Sequence, residues 1–282
     1  MGNNAIEKIG IRLPTTLHDP KLVFILGPCV IESAEGTFDI ARKLVEITER
    51  LDVPFIFKAS YDKANRTSVE SYRGPGIKEG LAILHNIKQE FGIPVTGDIH
   101  SVEEIEKVAQ VLDIIQIPAF LSRQNDLLVE SGRTGKIINI KKAQFMSPWD
   151  VSGAVKKVLS TGNDKIMLTE RGSSFGYNNL VVDFRSIEIM KKYAPVIFDA
   201  THSVQRPGGM GDKSAGDREF IVSLARAAIA AGATGLFMEV HPEPDKALCD
   251  GPNMFPLHLL EDFLKEIKEL FEFVKKLKKW KI

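Results

Sequence analysis

Eight short runs of aliphatic and β-branched residues recur along the chain, and each leads through a polar or Gly/Pro-bearing segment into a stretch with helical spacing of apolar residues. The runs predict strands at 22–26, 54–58, 94–97, 113–117, 136–140, 165–169, 195–199 and 234–240. Between them the spacing predicts helices over 37–51, 76–91, 101–111, 124–131, 148–160, 186–192 and 218–231, with a long one from Pro256 towards Trp280. Strict alternation calls for parallel strands joined by crossovers. Eight such units call for a closed (β/α)8 TIM barrel of the α/β class. A doubly wound open sheet is the alternative, but no G-x-G-x-x-G follows the first run, which ends in Gly27-Pro28-Cys29.

All 282 residues fit one such domain. Residues 1–21 fall outside the repeat, and the loose alternation of Ile6, Ile9, Ile11 and Leu13 suggests a small hairpin closing the barrel's bottom. Lys275, Lys276, Lys278, Lys279 and Lys281 cluster near the end of the last helix, where cations suit its dipole. Lys plus Arg and Asp plus Glu number 37 each, so the formal charge is zero. That balance points to neither nucleic acid nor a membrane surface, and an anionic ligand must be caught by local clusters. No secretory leader is evident and every apolar run is too short to cross a bilayer, so a cytoplasmic protein is expected. A reducing compartment also argues against pairing Cys29 with Cys249.

In a closed barrel, function collects where strands run into the loops that follow them. Those positions read Cys29, Lys58, Asp98, Gln116, Lys141, Arg171, His202 and Glu239, one from each strand in order. Singly, each has an ordinary structural role to fall back on. Together they would leave unpaired polar groups in a buried cup unless a charged ligand satisfied them. Lys58, Lys63, Arg66, Lys141 and Arg171, with Asn65, Thr67 and Ser68, form a cluster suited to phosphate or carboxylate oxygens. Barrel closure makes strands seven, eight and one neighbours. Cys29, His202, Glu239 and Asp250 can therefore meet as ligands of a divalent metal, with Zn, Fe(II) and Mn all open. Cys249 competes as a ligand, and His241 is expected behind the ligand set. The glycine-rich stretch at 206–217 has the composition of a mobile active-site loop.

Several motifs are shared with one family. Gly27-Pro28-Cys29-Val30-Ile31-Glu32-Ser33, Phe57-Lys58-Ala59-Ser60, Lys63-Ala64-Asn65-Arg66-Thr67-Ser68, Gln116-Ile117-Pro118-Ala119-Phe120-Leu121, Asn139-Ile140-Lys141-Lys142, Glu170-Arg171-Gly172, Phe175-Gly176-Tyr177, Asp199-Ala200-Thr201-His202-Ser203-Val204-Gln205 and Glu239-Val240-His241-Pro242 follow in order. This series resembles the 3-deoxy-D-manno-octulosonate 8-phosphate synthases, also called 2-dehydro-3-deoxyphosphooctonate aldolases, from about Val23 to about Pro256.

The resemblance implies a cytoplasmic homotetramer that condenses phosphoenolpyruvate with arabinose 5-phosphate and releases phosphate, on the route to the sugar acid of lipopolysaccharide. It implies that Lys58, Lys63, Gln116, Lys141 and Arg171 hold phosphoenolpyruvate, and that Asn65, Arg66 and Thr67 take the sugar phosphate. Arg123 would reach a neighbouring subunit's sugar phosphate. Ser60, Pro118, Ala119, Phe120 and Gln205 join the expected substrate-binding set by motif position, as does Asp98 by its strand end. His202, Asp250, Lys63 and Lys141 are the expected catalytic groups. Cys29 is similar to the metal-requiring class, where the metal-free class has Asn. Cys249-Asp250-Gly251-Pro252 is similar to the form common in the metal-free class. The nearest rivals are the related synthase that uses erythrose 4-phosphate, whose loop typically reads Lys-Pro-Arg-Thr, and a non-catalytic phosphosugar-binding barrel.

Overall fold

A computed structural model describes residues 21–66, 68–208, 215–278 and 280. The expected N-terminal hairpin, Thr67 and the centre of the 206–217 loop lie outside the described residues. Eight parallel strands form the barrel: β1 (Val23–Gly27), β2 (Phe55–Lys58), β3 (Val95–Asp98), β4 (Ile114–Ile117), β5 (Ile137–Lys141), β6 (Ile166–Glu170), β7 (Val196–Asp199) and β8 (Gly235–His241). They pair in sequence order, and β8 pairs back onto β1 with Val23 opposite Gly235 and Gly27 opposite Glu239. The crossovers carry α1 (Ala34–Leu51), α2 (Ile77–Phe91), α3 (Ile105–Val111), α4 (Asn125–Arg133), α5 (Val151–Leu159), α6 (Arg185–Met190), α7 (Ile221–Ala230) and, after β8, α8 (Leu260–Lys275). The closed (β/α)8 barrel expected from the eight-fold alternation is what the chain forms.

The two-residue period of each strand sorts its side chains into two cores. Phe24, Leu26, Phe57 and Phe198 point outward and pack with Leu44, Leu84, Val158 and Leu264 of the helices. Val23, Ile25, Ile56, Ile114, Ile137, Met167, Ile197 and Phe237 point inward and fill the lower barrel as a separate apolar cluster. One period further up, the inward positions turn polar. Thr169 donates to Asn139 Oδ1 at 2.7 Å, Asn139 to Gln116 Oε1 at 2.9 Å and Gln116 to Asp98 Oδ1 at 2.8 Å, while Ser60 donates to Asp98 Oδ2 at 2.9 Å. This hydrogen-bonded belt across β6, β5, β4, β3 and the end of β2 satisfies buried polar groups and floors the cup above it.

Local features set the ends. Ser33 accepts from Gly36 N at 3.1 Å and starts α1 three residues before the expected Thr37. Gly27, at φ 155°, lies so close to β2 that a Cβ there would sit 1.9 Å from the Lys58 carbonyl oxygen. Gln205–Arg206 and Ala215–Gly216 pair antiparallel at the base of the 206–217 loop. Phe255–Pro256 lies parallel to β8 and folds the segment carrying Asp250 back over the barrel mouth. No helix among the described residues is long and apolar enough to cross a membrane.

Candidate active site

The inward positions at the upper ends of the strands open into a cleft of about 360 Å³. Of the expected site residues, Lys58, Lys63, Asn65, Arg66, Asp98, Pro118, Ala119, Phe120, Lys141, Arg171, His202, Gln205, Glu239 and Asp250 line it. Cys29 is buried at its edge beside Asp250, and Ser60 and Gln116 lie in the belt beneath. Arg123 is exposed on the outer surface, its carbonyl accepting from Lys157. His241 turns from the cleft, with Nε2 3.9 Å from Glu32 and Nδ1 accepting from Glu243 N. The cleft also recruits Asp62, His100 and Gln144, which the strand-end reading did not single out.

The cations of the cup are held against buried carboxylates. Lys58 Nζ meets Glu239 Oε1 at 2.5 Å and the Cys29 carbonyl at 2.9 Å, and Lys63 Nζ lies 3.5 Å from the same Glu239 oxygen. Lys141 Nζ meets Asp199 Oδ2 at 2.7 Å and lies 3.7 Å from the centre of the Phe237 ring. Arg171 donates to the His202 carbonyl and to Gln205 Oε1, both at 3.0 Å. Its buried Nε has no hydrogen-bond partner, and neither has Gln144 Oε1. A buried guanidinium N–H without an acceptor, at the wall of a cleft, is a group prepared for an anion.

Burial pushes the carboxylates toward their neutral forms, but the cations prevail. Burial would raise Glu239, yet Lys58, Lys63 and His202 hold it well below the usual carboxylate range. Asp98 is likewise opposed by burial and held low by Lys58, Lys63, Lys141 and the Gln116 amide. Asp199 is opposed by burial and held low by His202, Lys141 and Arg171. For Lys63, burial is outweighed by the acidic groups around it, Cys29, Glu239, Cys249 and Asp98, and its ammonium is pushed up. Asp199, which strand-end position alone does not single out, ties the cup together. It accepts from His202 N at 2.9 Å, meets His202 Nδ1 at 2.8 Å through its other oxygen, and joins β7 to the Lys141 ammonium. Its signal was present: it ends the seventh run on the same face as Ile197 and stands three residues before His202.

The expected metal ligands gather around Asp250. Asp250 belongs to two groups whose donor atoms lie within 4.8 Å of one another, one with Cys29 and Cys249 and one with His202 and Glu239. Cys29 Sγ is 3.5 Å from Asp250 Oδ2, and His202 Nε2 is 3.6 Å from Glu239 Oε2 and 4.0 Å from Asp250 Oδ2. Cys249 Sγ sits 3.0 Å from Cys29 Sγ and accepts from the Arg66 guanidinium at 3.0 Å. Glu239 Oε2 is buried without a hydrogen-bond partner and faces this cluster, as a ligand oxygen would. With Nδ1 against Asp199, His202 presents Nε2 to the same point, the usual support for a ligating imidazole. Asp250 adopts φ 49°, a left-handed conformation that a non-glycine residue holds only at a cost. Burial, reinforced by Cys249 and Glu239, raises the Cys29 thiol well above its ordinary value. A bound cation would reverse that preference. The donor set of thiol, imidazole and carboxylates fits a divalent transition metal.

Comparison with known proteins agrees with this geometry. The sequence profile of the DAHP synthetase I family matches residues 15–276. A 2-dehydro-3-deoxyphosphooctonate aldolase of Geobacter metallireducens is 58% identical over 255 residues, covering 90% of this chain and 94% of that protein. Proteins of the same name from Geobacter sulfurreducens and Desulfatibacillum aliphaticivorans are 58% identical over 258 residues and 55% identical over 268. They cover 91% and 95% of this chain, and 95% of each relative. The chain is thus an enzyme of the DAHP synthetase I family and belongs, within it, to the 2-dehydro-3-deoxyphosphooctonate aldolases.

Proposed function

We propose that this chain condenses phosphoenolpyruvate with D-arabinose 5-phosphate and water, giving 3-deoxy-D-manno-octulosonate 8-phosphate and inorganic phosphate for lipopolysaccharide synthesis. The observation that carries the reading is the meeting, in one cleft, of an anion clamp from β2, β5 and β6 with a second from the 63–66 loop, beside convergent metal donors. Lys58, Lys63, Lys141 and Arg171, over Gln116, hold phosphoenolpyruvate. Asn65, Arg66 and Thr67 hold the sugar phosphate, with Ser60, Asp98, Pro118, Ala119, Phe120 and Gln205 completing the walls.

Clamping both anions places carbon three of the enol against the aldehyde carbon, an orientation that a solution encounter lacks. The enol's π electrons form the new carbon–carbon bond, and the aldehyde oxygen takes up a proton. Positive character at carbon two is met by water, which loses a proton as it adds. The carbon–oxygen bond to phosphate then breaks, phosphate leaves with the bonding pair, and the hydroxyl on carbon two gives its remaining proton to the departing phosphate as the ketone forms. In this reading Asp250 takes and returns protons at the water and the aldehyde oxygen, while His202, held through Asp199, keeps its Nε2 for the ligand set and helps to orient the water. Lys63 and Lys141 counter the negative charge that develops on the leaving phosphate. Cys29, His202, Glu239 and Asp250 would hold a divalent metal, Zn, Fe(II) or Mn, which when bound supplies Lewis-acid polarisation of the aldehyde or the water.

Pro207 and Gly208, at the start of the 206–217 stretch, line the cleft. In this reading the protein is a cytoplasmic homotetramer, in which the exposed Phe120, Phe145, Trp149 and Phe175 would be covered by neighbouring subunits and the exposed Arg123 would reach a neighbouring subunit's sugar phosphate. Phosphate release tests the reading. Phosphoenolpyruvate with arabinose 5-phosphate should liberate phosphate at a rate at least tenfold above that with erythrose 4-phosphate. Faster release with erythrose 4-phosphate would identify the rival synthase, and no release with either sugar would leave a binding barrel.

A further inference from the structure

Lys142 takes no part in the chemistry above, yet it is among the largest fully buried side chains of the described residues. Strand alternation sends Lys141 into the cup and Lys142 to the opposite face, where a surface lysine would be ordinary. Instead its Nζ lies in a cage between the loops that leave β5 and β6. It donates to the carbonyls of Ala143 at 3.2 Å, Met146 at 3.4 Å and Gly172 at 3.2 Å, and to Ser173 Oγ at 3.0 Å. Glu170 Oε1 is 3.5 Å away.

That carboxylate oxygen performs a second task. It accepts from Arg171 N at 3.0 Å and from Gly172 N at 2.6 Å. Two successive backbone N–H groups are thereby aimed at one oxygen, with Gly172 at φ 87° allowing the turn. The clamp fixes the backbone from which the Arg171 side chain leaves, and so the direction of a guanidinium whose Nε awaits an acceptor. On the other side of the cage, residues 142–146 are tied to the β6 loop through Lys142 N to Thr169 O at 2.8 Å and Ser174 N to Gln144 O at 2.9 Å. Lys141, just before this stretch, and Gln144 within it line the cleft.

We infer that Lys142, acting through Glu170 and the loop carbonyls, is a positioning residue that sets the spacing of Lys141 and Arg171 for the carboxylate and phosphate of phosphoenolpyruvate. The inference rests on the assignment of those two cations to that substrate. Removing the ammonium takes a donor from the Met146 and Gly172 carbonyls, leaves Ala143 O with Met146 N alone, and leaves Glu170 without its counter-charge. The two loops then lose their common anchor, while the sugar-phosphate clamp on the 63–66 loop keeps its own supports.

The test is calorimetric titration of phosphoenolpyruvate and, separately, of arabinose 5-phosphate into the wild-type protein, Lys142→Met, Glu170→Gln and the double variant. Lys142→Met is expected to weaken phosphoenolpyruvate tenfold or more, about 1.4 kcal/mol, while arabinose 5-phosphate stays within twofold. Glu170→Gln keeps the shape of the clamp and should move phosphoenolpyruvate in the same direction. The double variant should lose little more than Lys142→Met alone, because both residues act at one point. Equal weakening of both ligands, or unchanged phosphoenolpyruvate affinity with only a lowered melting temperature, would overturn the inference in favour of a purely structural role. Should Lys142→Met fail to fold, Glu170→Gln decides by the same criterion. Absence of phosphoenolpyruvate binding to the wild-type protein would defeat the parent assignment as well, an outcome separate from wild-type binding that the variants leave intact.

Discussion

Replacing Asp199 by Asn probes the part of the site on which most of the electrostatics turn. Asp199 is fully buried and bridges Lys141 Nζ at 2.7 Å and His202 Nδ1 at 2.8 Å, with further bonds from His202 N and Thr201 Oγ1. Asn is nearly isosteric, so no cavity forms, but the charge that Lys141 Nζ and His202 Nδ1 share at Oδ2 is lost, and the amide NH2 must face either that pair or the His202 N–H and Thr201 hydroxyl at Oδ1. One buried cation is thereby left without its counter-charge. Breaking a buried pair from one side costs about 3–5 kcal/mol, and the remaining acceptor recovers about a third of that, which leaves about 2–3 kcal/mol. In a chain of this size each kcal/mol moves the melting temperature by about 2–4 °C, so a fall of about 4–12 °C is expected in metal-free protein. The imidazole also loses the partner that presents Nε2 to the metal donors, which should weaken metal binding about 10–100-fold. Differential scanning calorimetry of the apoprotein and competition with a chromogenic chelator measure the two effects separately. A variant that melts within 1 °C of wild type and binds metal as tightly would refute the argument that these groups form one coupled network.

Other consequences follow from the same geometry. Arg66→Ala should raise the KM for arabinose 5-phosphate at least tenfold more than that for phosphoenolpyruvate, and equal effects in steady-state kinetics would remove Arg66 from the sugar clamp. Cys29→Ser should lower the affinity for Zn at least tenfold while the protein stays folded, read by equilibrium dialysis; unchanged affinity would leave Cys249 as the thiol ligand. Turnover should be lost on treatment with a chelator and restored in part by Zn, Mn or Fe(II), and full turnover in metal-stripped protein would refute the metal requirement. Burial alone would raise Glu104, but His100 and the Tyr61 hydroxyl hold it down at about 2 against an ordinary 4.5. A depressed folded value means stabilisation that is present above 4.5 and lost as pH falls toward 2. Glu104→Gln should therefore make stability less steep across that window in urea melts, and an unchanged acid limb would contradict the coupling.

The sequence was most legible where a period meets a boundary. The runs from Val23 to Val240 are nearly continuous in apolar residues because each strand faces a core on both sides, and their ends fall within a residue of expectation. Cys29, Lys58, Lys141, His202 and Glu239 could be placed in one cup because closure alone makes distant strands neighbours. Ser33 shows a boundary misread by three residues: the capping serine was visible, but Gly36 in the first turn weakened the helical signal. The thiol of Cys249 could not be ranked beforehand, because its position follows from the short turns Pro244–Lys246 and Gly251–Asn253 and from Phe255–Pro256 joining β8. Lys142 escaped for a different reason. Outward lysines at strand ends are ordinarily solvated, and only the three-dimensional return of the Gly172 carbonyl turns this one into a buried anchor.

The central claim is that one barrel mouth holds the metal donors and the phosphoenolpyruvate clamp side by side. An anomalous difference map from crystals grown with Mn(II) and phosphoenolpyruvate tests it directly. The expected map has a single strong peak bounded by Cys29, His202, Glu239 and Asp250, with the substrate's phosphate and carboxylate against Lys141 and Arg171. A peak elsewhere on the molecule, or an ordered substrate away from those two cations, would contradict it.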